Sequence, residues 1–190
     1  MIQSTLLRAA DYPRMPWKNG GGSTEEIARD VGDGLDSFGW RLSIADIAES
    51  GGFSSFAGYQ RVITVLQGAG MTLNVDGHDT QPLLPLQPFA FSGASQVACT
   101  LLDGPIRDFN LIYSPQRFQA RLQWLSGDQH FFTQASTVLV FSAHAQLQVN
   151  LENRQQHVLG LYDCLQLEAG PALIRVMTQG VCCVIELTAV

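Results

Sequence analysis

The stretch Met71-Thr72-Leu73-Asn74-Val75-Asp76-Gly77 decides the fold class. Its apolar and polar residues alternate with the period of a half-buried β-strand, and Asp-Gly is a strong signal for a tight hairpin turn. The preceding residues, 61–66, are apolar and β-branched and end in Gln67-Gly68-Ala69-Gly70. The two segments together predict a pair of antiparallel strands.

The same kind of segment recurs along most of the chain. Short strands are predicted at 40–45, 89–91, 97–102 and 108–113. A spacing of about 8–12 residues between such strands is typical of an antiparallel sandwich or barrel. One short helix is predicted at 23–29, because Ser23 or Thr24 can cap its first turn.

The strand pattern also repeats. Residues 71–75 are echoed by 145–149, and in each case a turn, a short strand, a glycine-containing break and a closing strand follow in the same order. The repeat predicts an all-β chain of two small, fused β-sandwiches. We place the first domain at 1–113, an N-terminal arm with a barrel that carries the candidate site, and the second at 114–190, a connector with a degenerate barrel.

Composition excludes several classes of function. The 190 residues carry a net charge of −6, and no cluster of Lys and Arg is present, which argues against nucleic acid as a partner. Apolar runs are too short to predict a membrane span, and the N-terminus does not resemble a secretory signal. The four cysteines show no C-x-x-C spacing. We therefore expect a cytoplasmic protein.

The densest group of polar residues lies at 15–27, which contains three consecutive glycines and the only lysine of the chain. Backbone N–H groups of a glycine run can turn inward to form an anion-binding nest, although such runs also form plain flexible loops. The candidate ligand-binding residues of this segment are Trp17, Lys18, Asn19, Gly20, Gly21, Gly22 and Thr24.

Each side chain of this segment also has an ordinary structural role open to it. Trp17 stacks on a planar ligand or anchors the N-terminal arm by packing. Lys18 binds an anion or is a solvated surface charge. Glu26 complements a helix dipole, or it orients Lys18 or an arginine.

Four polar residues on predicted strands complete the candidate site. Arg41 and Ser43 share one face of a strand, so Arg41 either clamps a carboxylate at a barrel mouth or lies outside the core. Arg61 precedes an apolar strand at a loop junction, where ligand contacts often occur. Asn110 hydrogen-bonds a ligand or faces solvent. Phe53 and Phe56 are interpreted as pocket wall or core.

Four blocks of the sequence resemble the HutD family, also known as Ves. In chain order these blocks are 16–27, 40–45, 52–61 and 102–110. The resemblance implies a bicupin, that is, two fused jelly-roll barrels of the RmlC-like cupin type with little helix. It also implies a protein associated with histidine utilisation that binds a small anionic metabolite similar to urocanate or formylglutamate.

The chain departs from metal-dependent cupins, which hold their ion with an H-x-H pair. Its histidines are His78, His130, His144 and His157, and none are spaced in this way. Imidazole and clustered carboxylates are the usual ligands of first-row metals in such pockets. We therefore predict neither a metal nor a cofactor.

Three functions remain open from the sequence. The first is a non-catalytic sensor or governor that binds a small carboxylate. The second is a cupin-type isomerase or hydrolase, in which Glu26, Glu49 or Tyr59 serves as acid or base. The third is an interaction protein whose degenerate second half forms a homodimer. The sequence shows no acid–base pair of defined geometry, which favours the first.

Overall fold

The computed structural model describes residues 2–18, 20–31, 37–152 and 154–190, and it is built almost entirely of antiparallel β-strands. The strands are β1 (Gln3–Leu7), β2 (Arg14–Pro16), β3 (Gly22–Arg29), β4 (Trp40–Ile47), β5 (Gly51–Gly52), β6 (Gln60–Gln67), β7 (Met71–Val75), β8 (His78–Asp79), β9 (Pro88–Ser92), β10 (Val97–Leu101), β11 (Ile106–Tyr113), β12 (Phe118–Leu125), β13 (Asp128–Thr133), β14 (Thr137–Ser142), β15 (Leu147–Leu151), β16 (Gln156–Leu159), β17 (Cys164–Glu168), β18 (Ile174–Gln179) and β19 (Cys182–Ala189). A single 3₁₀ turn covers Ala9–Asp11 within this described part. None of its helical segments is long and apolar enough to cross a membrane. The prediction of an all-β chain is confirmed.

The chain forms two compact units. The first unit is Pro13–Arg117, and the second combines Met1–Tyr12 with Phe118–Val190. In the first unit a six-stranded sheet, β2-β3-β4-β11-β6-β9, accompanies a four-stranded sheet, β5-β10-β7-β8. Apolar side chains from both sheets share one core, which includes Ile63 and Val65 of β6 and Leu73 of β7.

The second unit repeats this arrangement with a five-stranded sheet, β1-β17-β14-β19-β12, and a four-stranded sheet, β13-β18-β15-β16. Its core takes Val138 and Val140 from β14, Val149 from β15 and Val184 from β19. The two predicted sandwiches are therefore present, and each buries the inner faces of its own two sheets.

The first twelve residues differ from their predicted place in the domain at 1–113. β1 pairs antiparallel with β17, from Gln3 opposite Glu168 to Leu7 opposite Cys164, and so becomes an edge strand of the second unit. The side chain of Asp163 accepts hydrogen bonds from the backbone of Ala9 at 2.8 Å and from Arg8 at 2.7 Å. Pairing with a strand so distant in sequence leaves no local signal.

The helix predicted at 23–29 is wrong, because these residues form β3. The strand pairs with β2 on one side and with β4 on the other, and a register shift lies between Glu26 and Ala28. Ser23 and Ile27 are its buried residues. The hydroxyl and carboxylate groups that favour a helix start also suit a hairpin strand, and pairing with two neighbouring strands decides between them.

Candidate functional site

The first unit contains a cavity of about 560 Å³, bordered by strands of its six-stranded sheet and by the segment Met15–Lys18. This volume lies within the range of small-molecule sites. Asn19 lies outside the described residues, and Gly20, Gly21 and Gly22 do not line this cavity. The predicted site residues that do line it are Trp17, Lys18, Thr24, Arg41, Ser43, Arg61 and Asn110.

Arg61, at the start of β6, is a buried cation of the cavity and is only 7% exposed. Its Nη1 donates to the carbonyl oxygen of Ser54 at 3.1 Å, and its Nη2 donates to Oδ1 of Asn110 at 2.9 Å. Its Nε is buried without a hydrogen-bond partner among the described residues. One donor of this guanidinium therefore remains unused.

Three aromatic rings surround the same guanidinium. Its Cζ lies 5.4 Å from the ring centroid of Phe53, 5.5 Å from that of Phe56 and 5.0 Å from that of Phe91. Such contacts stabilise a cation without consuming its hydrogen bonds. Burial lowers the pKa of Arg61 to about 10, against the opposing effect of Asp108, so the side chain stays charged at neutral pH.

Asp108 lies on β11 beside this arginine and is 1% exposed. Its Oδ1 accepts a hydrogen bond from Nδ2 of Asn110 at 2.8 Å, whereas its Oδ2 is buried without a described partner. Burial raises the pKa of Asp108 to about 7, although Arg61 and the hydrogen bonds from Ala45 and Asn110 act in the opposite direction. Arg61, Asn110 and Asp108 therefore form one buried polar chain.

Arg41 on β4 brings a second buried guanidinium to the cavity. Its Nε donates to Oε2 of Glu26 at 2.7 Å, and Arg29 binds the same carboxylate. Burial acts to raise the pKa of Glu26, but the two arginines outweigh it and hold that pKa below its usual value. Glu26 thus orients an arginine, one of the two roles that the sequence left open.

Trp17 and Lys18 reach the cavity from the turn that joins β2 to β3. The backbone N–H of Trp17 donates to the carbonyl of Gly22 at 2.8 Å, and the indole Nε1 donates to Oγ1 of Thr24 at 2.8 Å. The Trp17 ring packs against the core of the first unit, while Lys18 is exposed. Trp17 therefore packs against the core at the edge of the cavity, which is one of the two roles that the sequence left open.

The glycine run has a structural cause in this turn. Gly20 has a φ of +75°, a left-handed conformation that favours glycine. A Cβ on Gly22 would lie 2.3 Å from the carbonyl oxygen of Asp46 and 3.0 Å from the Trp17 ring. These positions give the glycines a role in a tight hairpin.

A second, smaller cavity of about 230 Å³ adjoins the first. Trp17 and Phe53 border both cavities, and the smaller one is also bordered by Gly21, Glu49 and Cys99. Burial raises the pKa of the Cys99 thiol. Gly21 and Glu49 therefore border the smaller cavity and do not line the larger one.

Asp108 is a cavity residue that the sequence does not single out. It shares a strand face with Asn110, because the two residues are separated by one position. The available signal was a carboxylate and an amide two residues apart in the otherwise largely apolar β11. A single strand does not reveal that this face meets Arg61, so the sequence alone does not predict the pair.

Metal ligands do not cluster in the part of the chain that is described. No group of three His, Cys, Asp or Glu side chains lies close enough to hold an ion there. The polar groups of the cavity are instead guanidinium, ammonium, amide, hydroxyl and one carboxyl. Guanidinium groups bind carboxylates and phosphates rather than cations.

The chain matches known proteins over nearly its whole length. A protein of Pseudomonas putida, described as an uncharacterized 21.2 kDa protein in the hutC 3' region, is 64% identical over 187 residues, 98% of each chain. Protein Ves of Citrobacter koseri is 39% identical over 117 residues, 60% of this chain and 61% of its own. The solved structure of HutD from Pseudomonas fluorescens SBW25, in a formate condition, is 63% identical with a TM-score of 0.92, and the match covers 99% of this chain and all of that one.

The family model HutD matches residues 9–184. The bicupin architecture that the resemblance implied is confirmed by the two sandwiches and by the structural matches. The chain belongs to the HutD family.

Proposed function

We propose that this protein binds a small carboxylate in the larger cavity of its first unit and acts as a sensor or governor of histidine breakdown. The observation that carries the proposal is the charge of the cavity wall. Lys18, Arg41 and Arg61 line it together with a single acidic residue, Asp108, in a chain whose net charge is −6. Such a concentration of positive charge in an acidic protein favours an anionic ligand.

The shape of the cationic groups favours a carboxylate in particular. A guanidinium presents paired N–H donors that match the two oxygens of a carboxylate. Arg61 is held in place by Ser54, Asn110 and three rings before any ligand arrives, so little side-chain entropy is lost on binding. Its unused Nε is a further donor.

The link to histidine breakdown comes from relatives. The similar Pseudomonas putida protein is described by its place in the hutC 3' region, and a similar solved structure is titled HutD in a formate condition. Urocanate-like and formylglutamate-like intermediates are therefore the ligands that we propose.

Calorimetric titration with urocanate and with formylglutamate tests this function. We expect saturable binding by the wild type and a loss of at least about 100-fold in affinity for Arg61→Ala, the range of a charge-assisted pair left without its partner. Arg175→Ala is the matched control, since Arg175 is an exposed arginine on β18 of the second unit. A flat wild-type trace with both ligands, or equal binding by both variants, would contradict the proposal.

A second candidate function is catalysis by a cupin-type isomerase or hydrolase on the same ligands. Asp108 supports it, because a buried carboxyl with a pKa of about 7 suits acid–base chemistry. The acids and bases expected from the sequence support it less. Glu26 is engaged by two arginines, and the Tyr59 hydroxyl donates to the carbonyl of Phe38 at 2.8 Å. Product formation by purified protein, with and without divalent metal, separates this function from binding alone.

Homodimer formation by the second unit stays a prediction. Sedimentation at micromolar protein concentration tests it, and a monomer under those conditions would contradict it.

A further inference from the structure

Asp108 is a carboxyl group with one hydrogen-bonded oxygen and one oxygen that has no described donor. Oδ1 accepts from Asn110 at 2.8 Å, and Oδ2 is buried with no such bond. An ionised carboxylate that is buried with one oxygen unpaired is costly, whereas the neutral acid avoids the cost of burying a charge. The geometry by itself therefore favours the neutral acid over the anion at this position.

Arg61 is the group that keeps the anion accessible. Its attraction for Asp108 opposes the effect of burial, and Asn110 bridges the two side chains by accepting from Nη2 of Arg61 and donating to Oδ1 of Asp108. Two charged residues of the neighbouring strand β4 also act on this pair. Arg41 lowers the pKa of Arg61, and Asp46 raises the pKa of Asp108. On β10 the Cys99 thiol is a further titratable neighbour, and burial raises its pKa. The protonated and ionised forms of Asp108 are therefore close in free energy near neutral pH, and the attraction of Arg61 maintains the ionised form.

A bound carboxylate would disturb this balance in one direction. It would place a second negative charge in the same cavity, next to the guanidinium that stabilises Asp108. Two carboxylates that share one site do not both stay ionised in a low dielectric. The ligand would also displace water from the cavity wall, which raises the cost of the Asp108 anion further.

We propose that Asp108 takes up one proton when a carboxylate binds, so that the site accepts the anion and a proton together. The proton comes from solvent and is held on the carboxyl of Asp108, and Arg61 is then free to pair with the ligand alone. No covalent bond forms or breaks. This inference rests on the proposed carboxylate binding and adds its pH dependence.

The sign of the pH dependence follows from linkage. Below about pH 7 Asp108 is already protonated, so binding takes up no further proton and the affinity is constant. Above pH 7 the free protein must gain a proton on binding, so the Kd rises with pH, by up to about tenfold per pH unit. The rise ends where Asp108 of the complex itself loses its proton.

Formylglutamate is the probe of choice, because its ionisable groups are carboxyls that titrate near pH 4, far from this range. Titration at pH 7.5 in HEPES and in Tris, two phosphate-free buffers with different ionisation enthalpies, measures the protons exchanged. We expect the uptake of at least about half a proton per ligand, together with a Kd that rises between pH 7 and pH 9.

Asp108→Asn is the decisive variant, because the amide resembles the protonated carboxyl in shape and stays neutral. We expect it to bind formylglutamate with no dependence on buffer and with a Kd that is constant from pH 6 to pH 9. Asp46→Asn is the matched control: Asp46 is the other nearby acid, but it is paired with Arg107 at 2.8 Å, and its loss should leave the proton uptake in place.

The outcomes separate the two proposals. Binding by the wild type with identical enthalpies in both buffers would overturn proton uptake and leave carboxylate binding standing, as expected if a ligand N–H donates to Oδ2 instead. Absence of wild-type binding would overturn both. The buffer comparison on the wild type needs no variant, so it decides the question even if Asp108→Asn fails to fold.

Discussion

The two units each bury an aspartate, and the two aspartates have opposite surroundings. Asp163 of the second unit accepts hydrogen bonds from the backbone of Ala9 and Gly160 and from Arg8. Asp108 of the first unit has one oxygen with no described donor. Burial acts to raise the pKa of both, but the three donors outweigh it at Asp163, where the pKa is lowered, and not at Asp108, where it is raised to about 7.

The second unit has an apolar residue at the strand position that corresponds to Asp108. The pair β14 and β19 occupies the place in its sheet that β6 and β11 occupy in the first unit. On the paired strands β6 and β11, Val65 lies opposite Asp108, and on the corresponding strands β14 and β19, Val140 lies opposite Val184. Val184 belongs to an apolar core. One topology thus holds a polar chain in the first unit and valine in the second, so the fold does not require a carboxyl there. A buried carboxyl that the fold does not require is a candidate for a functional group.

The largest effect is expected from placing the polar residue in the wrong unit. Val184→Asp would bury a carboxyl with no Arg61 and no Asn110 beside it and would also lose an apolar side chain. We expect the free energy of unfolding to fall by about 5 kcal/mol at pH 7. Urea denaturation measures it, and Val184→Thr, which keeps the shape but adds no charge, is the control. A loss equal to that of the threonine variant would mean that the two barrels tolerate charge equally.

The next largest effect concerns Asp108 itself. Its pKa is higher in the folded state than in the unfolded state, so its contribution to stability is fully present below about pH 4 and is lost as pH rises to about 7. Asp108→Asn removes this loss. We expect the stability of the variant relative to the wild type to improve by about 3 kcal/mol between pH 4.5 and pH 8. A difference between the two proteins that does not change with pH would show that Asp108 is ionised throughout.

The strands and the duplication could be predicted from the sequence, because alternation and turn residues are local signals. The strand at 71–75 and the hairpin after it are present as predicted. The helix prediction fails at β3 because Ser23, Thr24 and Glu26 suit a helix start as well as a strand. The sequence does not assign β1 to the second unit because its partner β17 lies more than 150 positions away, from Leu7 to Cys164.

The site could be predicted in part for a different reason. Cations are few in this chain, so Arg41 and Arg61 stood out, and the cavity brings them together. Asp108 could not be found in this way, since acidic residues are common here and a single aspartate on a strand has no distinguishing pattern. Its burial and its missing donor depend on contacts among β4, β6 and β11, which only the folded chain supplies.

The pKa of Asp163 is shifted in the opposite direction to that of Asp108, and we expect a smaller effect of its substitution on stability. Asp163→Asn leaves one oxygen for two backbone donors and removes the partner of Arg8, so we expect a loss of about 2 kcal/mol in stability at pH 7. Because its folded-state pKa is lowered, its contribution is present above about pH 4 and is lost as pH falls through the folded-state pKa.

Two observations check this assignment. The stability difference between Asp163→Asn and the wild type should shrink as pH is lowered from 5 to 2, the reverse of the trend for Asp108→Asn. Arg8→Gln should cost less than about 1 kcal/mol, because the Arg8 side chain is 52% exposed. An arginine variant as damaging as the asparagine variant would assign the effect to the ion pair rather than to the backbone donors.

The smallest effect is expected at the hairpin that borders the cavity of the first unit. Thr24→Val keeps the shape of the side chain but removes the oxygen that accepts from the Trp17 indole at 2.8 Å. We expect a loss of about 1 kcal/mol in stability, the net value of one hydrogen bond. Thr24→Ser, which keeps the hydroxyl, should lose less. Formylglutamate titration of the two variants then tests the hairpin's part in binding: equal affinity would leave Trp17 with a packing role, whereas a weaker valine variant would show that the Thr24 hydroxyl, or the Trp17 orientation that it fixes, contributes to binding.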